Sequence, residues 1–364
     1  MNSAQSGQTT PNHSEISPLE TDPAKGRDFR DISVHPNGEE LLFTECVYDP
    51  KVEPTGDCYV LRYRLATKSL YRYALPTGYV YQTASLSPHG HFIVLSRVPK
   101  IGISEDAVRQ AHDQSEIVHM KVDGTGFRVV PLAKGYKVGP IMSDDETRVA
   151  YWRSTLRPPG SKTFSSHFDV WEVDLKTGQD RLFAGQFKFF DRSGLQYLSQ
   201  DEMLVGADGP SQYAQAISKY WAKYNRSAIY RIARGMRALP EPTLTEVEGA
   251  QYPSSDRAGN LYFQGQRPGI SLFRKDRHGE IQQWGWPVRY GPGDWGGGGW
   301  YDLVADPGGS FIAFVYKIKG TLARDAKRRL GLLITQTSEW RDLNIPALQA
   351  SQLIPVTAAE LSSN

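Results

Sequence analysis

The stretch Ser87-Pro88-His89-Gly90-His91-Phe92-Ile93-Val94-Leu95 joins a tight turn to an apolar, β-branched run. Proline presets φ for a turn and glycine supplies positive φ, so Ser-Pro-x-Gly closes a hairpin and Phe-Ile-Val-Leu is the strand leaving it. The same pairing recurs along the chain. The other turns are His35-Pro36-Asn37-Gly38, Ser143-Asp144-Asp145-Glu146, Ser199-Gln200-Asp201-Glu202, Ser255-Asp256-Arg257-Ala258-Gly259 and Asp306-Pro307-Gly308-Gly309. Their second residues, 36, 88, 144, 200, 256 and 307, lie 52, 56, 56, 56 and 51 apart. A short apolar strand follows every turn, from Leu41-Leu42-Phe43-Thr44 to Phe311-Ile312-Ala313-Phe314-Val315.

Each unit continues with a third strand, such as Ile117 to Val122 or Asp169 to Val173. A second polar turn follows, Asp123-Gly124-Thr125-Gly126 or Lys176-Thr177-Gly178, and then a fourth short strand. Four strands per unit, repeated at one period, form the blades of a β-propeller. A sandwich does not predict such regular spacing. The fold expected is all-β: a six-bladed β-propeller of four-stranded antiparallel blades, with short helical insertions on one face. The blades run approximately 28–76, 77–132, 133–185, 186–247, 248–285 and 286–345, after a polar, disordered arm over 1–27. Residues 346–364 form a tail that either adds an edge strand or lies loose.

Ser-Pro-x-Gly before an apolar strand, then an Asp-Val-Trp-type strand and an Asp-Gly turn, resembles the TolB-type repeat, which also occurs in tricorn-like proteins and prolyl oligopeptidase propellers. The resemblance spans about residues 28–345 and departs from the pattern at Asn37 and His89, where the repeat has its turn Asp. It implies the propeller fold. It implies little about function, because the family includes both binding scaffolds and accessory domains of enzymes.

Composition narrows the classes further. The chain has 364 residues, 42 basic against 40 acidic side chains and 11% aromatics. The near-balance gives no general drive toward nucleic acid, and nothing approaches the ~18 apolar residues of a membrane span. Residues 1–25 lack the basic and apolar regions of a leader, so a cytoplasmic location is expected, and with it reduced thiols at Cys46 and Cys58. No Gly-x-Ser-x-Gly elbow is present, so the peptidase domain of some propeller relatives is not expected here. No histidine or cysteine spacing suggests a metal, and no cofactor is expected.

The loop between the second and third strands is expanded in five of six blades, over 46–57, 97–115, 153–168, 208–226 and 317–329, with only 266–269 short. These loops share one face. Tyr213, Ile217, Tyr220, Trp221 and Tyr224 fall at helical spacing; Ser104 caps a helix over Glu105 to His112; Thr321 to Arg329 reads as a third, basic helix. The aromatic face either packs on the rim or forms a partner groove. The six segments carry −2, 0, +3, +2, +1 and +5, so this face is basic and the remaining body acidic. Lys317, Lys327, Arg328 and Arg329 contribute most.

The first strand of each blade lines the axis. Five positions before the turn reference stand Asp31, Thr83, Gly139, Leu195, Gln251 and Asp302. Ring closure makes blades one and six neighbours, which sets Asp31 beside Asp302. Paired carboxylates bind a cation or share a proton; alternatively, channel water and neighbouring side chains satisfy them. Arg30, Gln82, Lys137, Asp191 and Arg192 lie close in sequence. The loop Tyr290 to Trp300 holds four consecutive glycines between Trp295 and Trp300, which either cap the mouth as a lid or plug it.

The function expected is a non-catalytic scaffold that presents this basic, aromatic face and channel mouth to a protein partner or an anionic small ligand. The alternative is a propeller enzyme of lyase or hydrolase type that uses Asp31 and Asp302 on a small or sugar-like substrate.

Overall fold

In the computed structural model the strand after each repeat turn is apolar on both sides because each side meets a different blade. The structure describes residues 27–47, 57–102, 104–156, 165–189, 192–209, 227–244, 246–265, 271–285, 300–317 and 328–359. Blade one comprises β1 (Arg27–Val34), β2 (Glu40–Val47), β3 (Cys58–Arg64) and β4 (Ser69–Tyr73). In β2, Leu41 and Phe43 point into a cluster with Phe311, Ala313 and Val315 of the last blade. Leu42, between them, points the other way, into a cluster with Ile93 and Leu95 of the second blade. The period of two thus sends alternate side chains to opposite neighbours.

Blade two follows as β5 (Tyr79–Leu86), β6 (Phe92–Pro99), β7 (Glu116–Lys121) and β8 (Arg128–Val130), with α1 (Glu105–Asp113) inserted between β6 and β7. Ser104 caps α1, its Oγ accepting from the Ala107 N–H at 3.2 Å. Blade three is β9 (Tyr136–Met142), β10 (Arg148–Leu156), β11 (Ser165–Asp174) and β12 (Asp180–Leu182). Blade four is β13 (Arg192–Ser199), β14 (Glu202–Asp208) and β15 (Ser227–Ala233). Blade five is β16 (Gln251–Ser255), β17 (Leu261–Gly265), β18 (Ser271–Lys275) and β19 (Ile281–Gly285). Blade six is β20 (Trp300–Ala305), β21 (Phe311–Lys317), β22 (Arg328–Ile334) and β23 (Glu339–Asp342).

From β1 to β23 the strands of each blade pair antiparallel with their sequence neighbours in that blade. The result is a six-bladed β-propeller. Among the described residues a separate buried cluster occupies each of the six blade-to-blade seams. Burying one Leu or Phe of such a cluster contributes about 1.5–3 kcal/mol.

Two blades depart from four strands. Among the described residues blade four has three, and the Thr243 N–H reaches back to the Ile229 carbonyl at 2.7 Å, tying the following segment to the edge of β15. Blade one gains a fifth, β24 (Gln352–Ile354), which runs parallel to β4. The tail therefore takes the edge-strand alternative. It continues onto blade two, where the Phe127 N–H donates to Thr357 O and the Ala359 N–H to Phe127 O. Gly124 permits this passage: its φ is +90°, and a Cβ there would lie 2.2 Å from the Pro355 carbonyl oxygen.

Two expectations are corrected. Cys46 and Cys58 face each other in the β2–β3 register and are joined as a disulfide, not held as thiols. The earlier expectation rested on compartment, whereas strand register decides which sulfurs meet. Arg328 and Arg329 lie in β22, not in a helix; they pair with Lys317 and Tyr316 of β21. The aromatic segment around Tyr220 and Trp221 falls outside the described residues. Among the described residues no helix is long and apolar enough to cross a membrane.

Gly124→Val should release the tail and cost ~1–3 kcal/mol, from the left-handed backbone and the clash with Pro355. The Ala74 and Phe127 amides, which donate to Ile354 O and Thr357 O, are expected to lose hydrogen-exchange protection; unchanged protection would show that the strap is not held this way. Reducing the disulfide should lower unfolding free energy by about 3 kcal/mol for a loop of this size, read from denaturant melts with and without reductant.

Candidate functional site at the channel mouth

First strands from all six blades surround an axial channel of about 1080 Å³. Every first strand carries a break in register, at Arg30/Ile32, Tyr81/Thr83, Arg192/Gly194, Gln251/Ser254 and Trp300/Asp302, and in blade three opposite Ala150/Trp152; β13 carries a second at Tyr197/Ser199. Such bulges re-aim side chains locally. In blade one the bulged residue is Asp31, at φ 47°. Aspartate is among the few non-glycine residues that adopt this left-handed conformation readily.

Asp302 enters from blade six. Its Oδ2 accepts the Ile32 N–H at 2.8 Å, across the seam between the last blade and the first. This contact puts Asp302 against Asp31, as ring closure predicts. Asp28 lies on the same strand and takes two guanidiniums. Arg30 Nε is 2.8 Å from its Oδ2; Arg328 donates from Nε to Oδ1 at 2.9 Å and from a terminal nitrogen to Oδ2 at 3.1 Å. Arg192, from blade four across the channel, is the strongest of the cations acting on Asp31. Among the described residues no cationic side chain contacts Asp302.

The electrostatics follow from that distribution. Burial pushes the Asp31 carboxyl up to about 6, against the pull of Arg192, Arg30 and Arg328. Burial pushes Asp302 up to about 8, the Asp31 charge adds to the rise, and the Ile32 and Leu303 N–H groups oppose it. The pair therefore retains a proton at neutral pH.

The far side of the mouth is aromatic. His112 of α1 stacks on Tyr136, with ring centroids 4.2 Å apart and planes 12° from parallel. Arg192 lies 5.3 Å from the Phe168 ring centroid. Burial and the Arg192 charge push His112 down to about 4, so it is neutral at physiological pH. Gln82 lines the channel, and its Oε1 is buried with no hydrogen-bond partner among the described residues.

Other residues singled out from sequence lie elsewhere. Lys137 faces away from the channel while its neighbours Tyr136 and Val138 line it. Its Nζ donates to the Ser115 and Gly135 carbonyls at 2.7 and 2.8 Å, and burial lowers it to about 8. Gln251 also turns away, Nε2 donating to Ser227 Oγ at 2.5 Å; the bulge presents Tyr252 and Pro253 to the channel instead. Arg328 lines the channel; Arg329, one residue on, does not. In each case strand alternation separates residues that are adjacent in sequence. Asp191, Trp295, Tyr220, Trp221 and Lys327 lie outside the described residues, as do the side chains of Trp300 and Lys317.

Sequence reasoning missed Asp28, His112 and Tyr136. Asp28 was within reach, because it stands two residues before Arg30 and so shares its face. Among the described residues no group of three or more His, Cys, Asp or Glu side chains is placed to hold a metal ion.

No family model matches the chain, and no curated protein matches it. Solved structures do resemble it. A Mycobacterium tuberculosis puromycin-hydrolyzing peptidase superposes with a TM-score of 0.54 at 14% identity, over 91% of this chain and 57% of that one. The tricorn protease gives 0.52 at 10% identity, over 89% and 27%. An oligogalacturonate lyase in complex with manganese gives 0.51 at 14% identity, over 88% and 79%. The chain thus spans little more than half of the first peptidase and about a quarter of the second. At these identities the likeness shows the six-bladed fold alone, as the tricorn-like resemblance implies.

The raised carboxyl at Asp302 has a consequence for stability. A folded-state value above the unfolded one favours folding below the unfolded value of ~4 and loses that contribution as pH rises toward 8. Asp302→Asn keeps an acceptor for the Ile32 N–H and removes the buried charge. It should stabilise the protein by about 1 kcal/mol or more at pH 8–9 and by nothing at pH 4, measured by denaturant unfolding. Equal effects at both values would mean that Asp302 ionises normally in the fold.

Proposed function

We propose that the protein is a non-catalytic binding scaffold that receives a ligand at the insertion-side mouth of its channel. One observation carries this reading: Arg30, Arg192 and Arg328 converge with Asp28, Asp31 and Asp302 around the opening of a channel large enough for a small molecule or a chain terminus. Pockets that bind small molecules combine concave volume with a few convergent polar groups. An anionic ligand fits the three guanidiniums, since forked donors pair well with carboxylates. A protein partner on the surrounding basic face would bring such a group to the mouth and gain from electrostatic steering.

The carboxyl pair favours one second reading. Two adjacent acids that share a proton are suited to general acid–base work, as in a lyase or hydrolase acting on a sugar-like substrate. The oligogalacturonate lyase of the same fold is an enzyme, which keeps that reading in view; fold likeness alone does not carry it.

A calorimetric screen of small carboxylates and short acidic peptides separates the readings. On the scaffold reading, a ligand that binds wild type should lose at least tenfold in affinity in Arg192→Ala and remain chemically unchanged after prolonged incubation. Turnover of the ligand, lost in Asp31→Asn with binding retained, would replace the scaffold by the enzyme. Failure of every probe to bind would remove the mouth as the site.

A further inference from the structure

Among the described residues the mouth holds three guanidiniums and three carboxylates, but they are not matched one to one. Asp28 takes both Arg30 and Arg328. Arg192 acts on Asp31 from across the channel. Asp302 is left with backbone N–H partners and a second carboxyl beside it. With all three acids ionised, the cluster has no net charge to attract an anion, and two of its carboxylates face the space a guest would fill. With a proton on the pair the cluster carries net positive charge, and a neutral carboxyl can donate to a guest oxygen.

Resting on the mouth-binding reading above, we infer that the ligand is a carboxylate that is held together with a proton, its charge met by Arg30, Arg192 and Arg328 and the proton kept between Asp31 and Asp302. The balance is simple: no covalent bond changes, one anion is taken up onto a pair that already holds a proton at neutral pH, and above about 8 the anion brings that proton with it. The guest strengthens retention of the proton, and the proton strengthens retention of the guest, by the same factor. Affinity is therefore sustained while the pair keeps its proton and declines as pH rises above about 8, where the free pair gives it up.

Among the described residues the groups facing the pair come from four strands. β1 supplies Asp28 and Arg30, β5 Gln82, β13 Arg192 and β22 Arg328. A guanidinium is a fixed positive charge in proteins over the whole range. His112 on α1 is neutral well below it. Lys137 titrates near 8 but is turned away from the channel and bound to two backbone carbonyls. Because it titrates in the same range, a variant at the pair has to decide the matter, not the wild-type profile alone.

The test is titration calorimetry of the full chain with succinate between pH 6 and 9, with sulfate as a second anion that does not itself titrate in this range. Wild type should lose about tenfold in affinity per pH unit above ~8, and at pH 9 should take up close to one proton, read from the dependence of binding heat on buffer ionisation enthalpy. Asp302→Asn should bind with an affinity that no longer falls with pH. Asp31→Asn is the second variant should Asp302→Asn fail to melt cooperatively. A flat wild-type profile, or a slope that survives in the Asn variant, overturns the proton link and leaves the binding reading standing. Absence of binding by either anion at pH 6 overturns both.

Discussion

No blade of this protein can hide its own apolar surface. β2 is apolar on two sides, with Leu41 and Phe43 turned to blade six and Leu42 turned to blade two. A sheet with two greasy faces needs two neighbours, and the neighbours need theirs, until the series closes. This requirement explains why a chain with 39% hydrophobic residues folds without a single central core. The apolar residues are distributed over the seams, and a channel with a mixed polar and apolar lining runs along the axis.

The closing seam is chemically unlike the others. Strands β1 to β4 of blade one and the strands of blade six come from opposite ends of the sequence, and no strand is shared between the two sheets. The seam is held by the cluster around Phe29, Phe43 and Val315, by the Ile32 N–H on Asp302, and by Arg328 on Asp28. The tail then passes from blade six over the edge of blade one to blade two. Polar closure at the inner rim means that buried carboxylates gather where the ring joins. The candidate site is thus a by-product of how the ring closes. Its charge is uneven because one member, Asp302, gives its oxygen to the backbone.

The fold itself sets few limits on chemistry. Structures of the same architecture include peptidases and a lyase. What separates this chain from a generic propeller is the content of the mouth: bulged first strands, a left-handed aspartate, arginines from three blades, and an aromatic stack under α1. A site assembled from the rigid inner strands of several blades holds its groups in place better than one on loops.

The spacing of six turns determined the number of blades, and the apolar run after each turn determined which strands are central, because both are local and periodic. Phase within the repeat also brought Asp31 and Asp302 to one end of the axis. Phase did not show which way Lys137 or Gln251 points, since one bulge reverses alternation and leaves no mark in composition. Nor did it show that Cys46 would meet Cys58 as a disulfide, that Asp28 would take two arginines, or that the tail would cross two blades. Those outcomes depend on register, on which residues face one another across a seam, and on how far burial raises the cost of a charge. Such quantities exist only once distant segments are brought together in the ring.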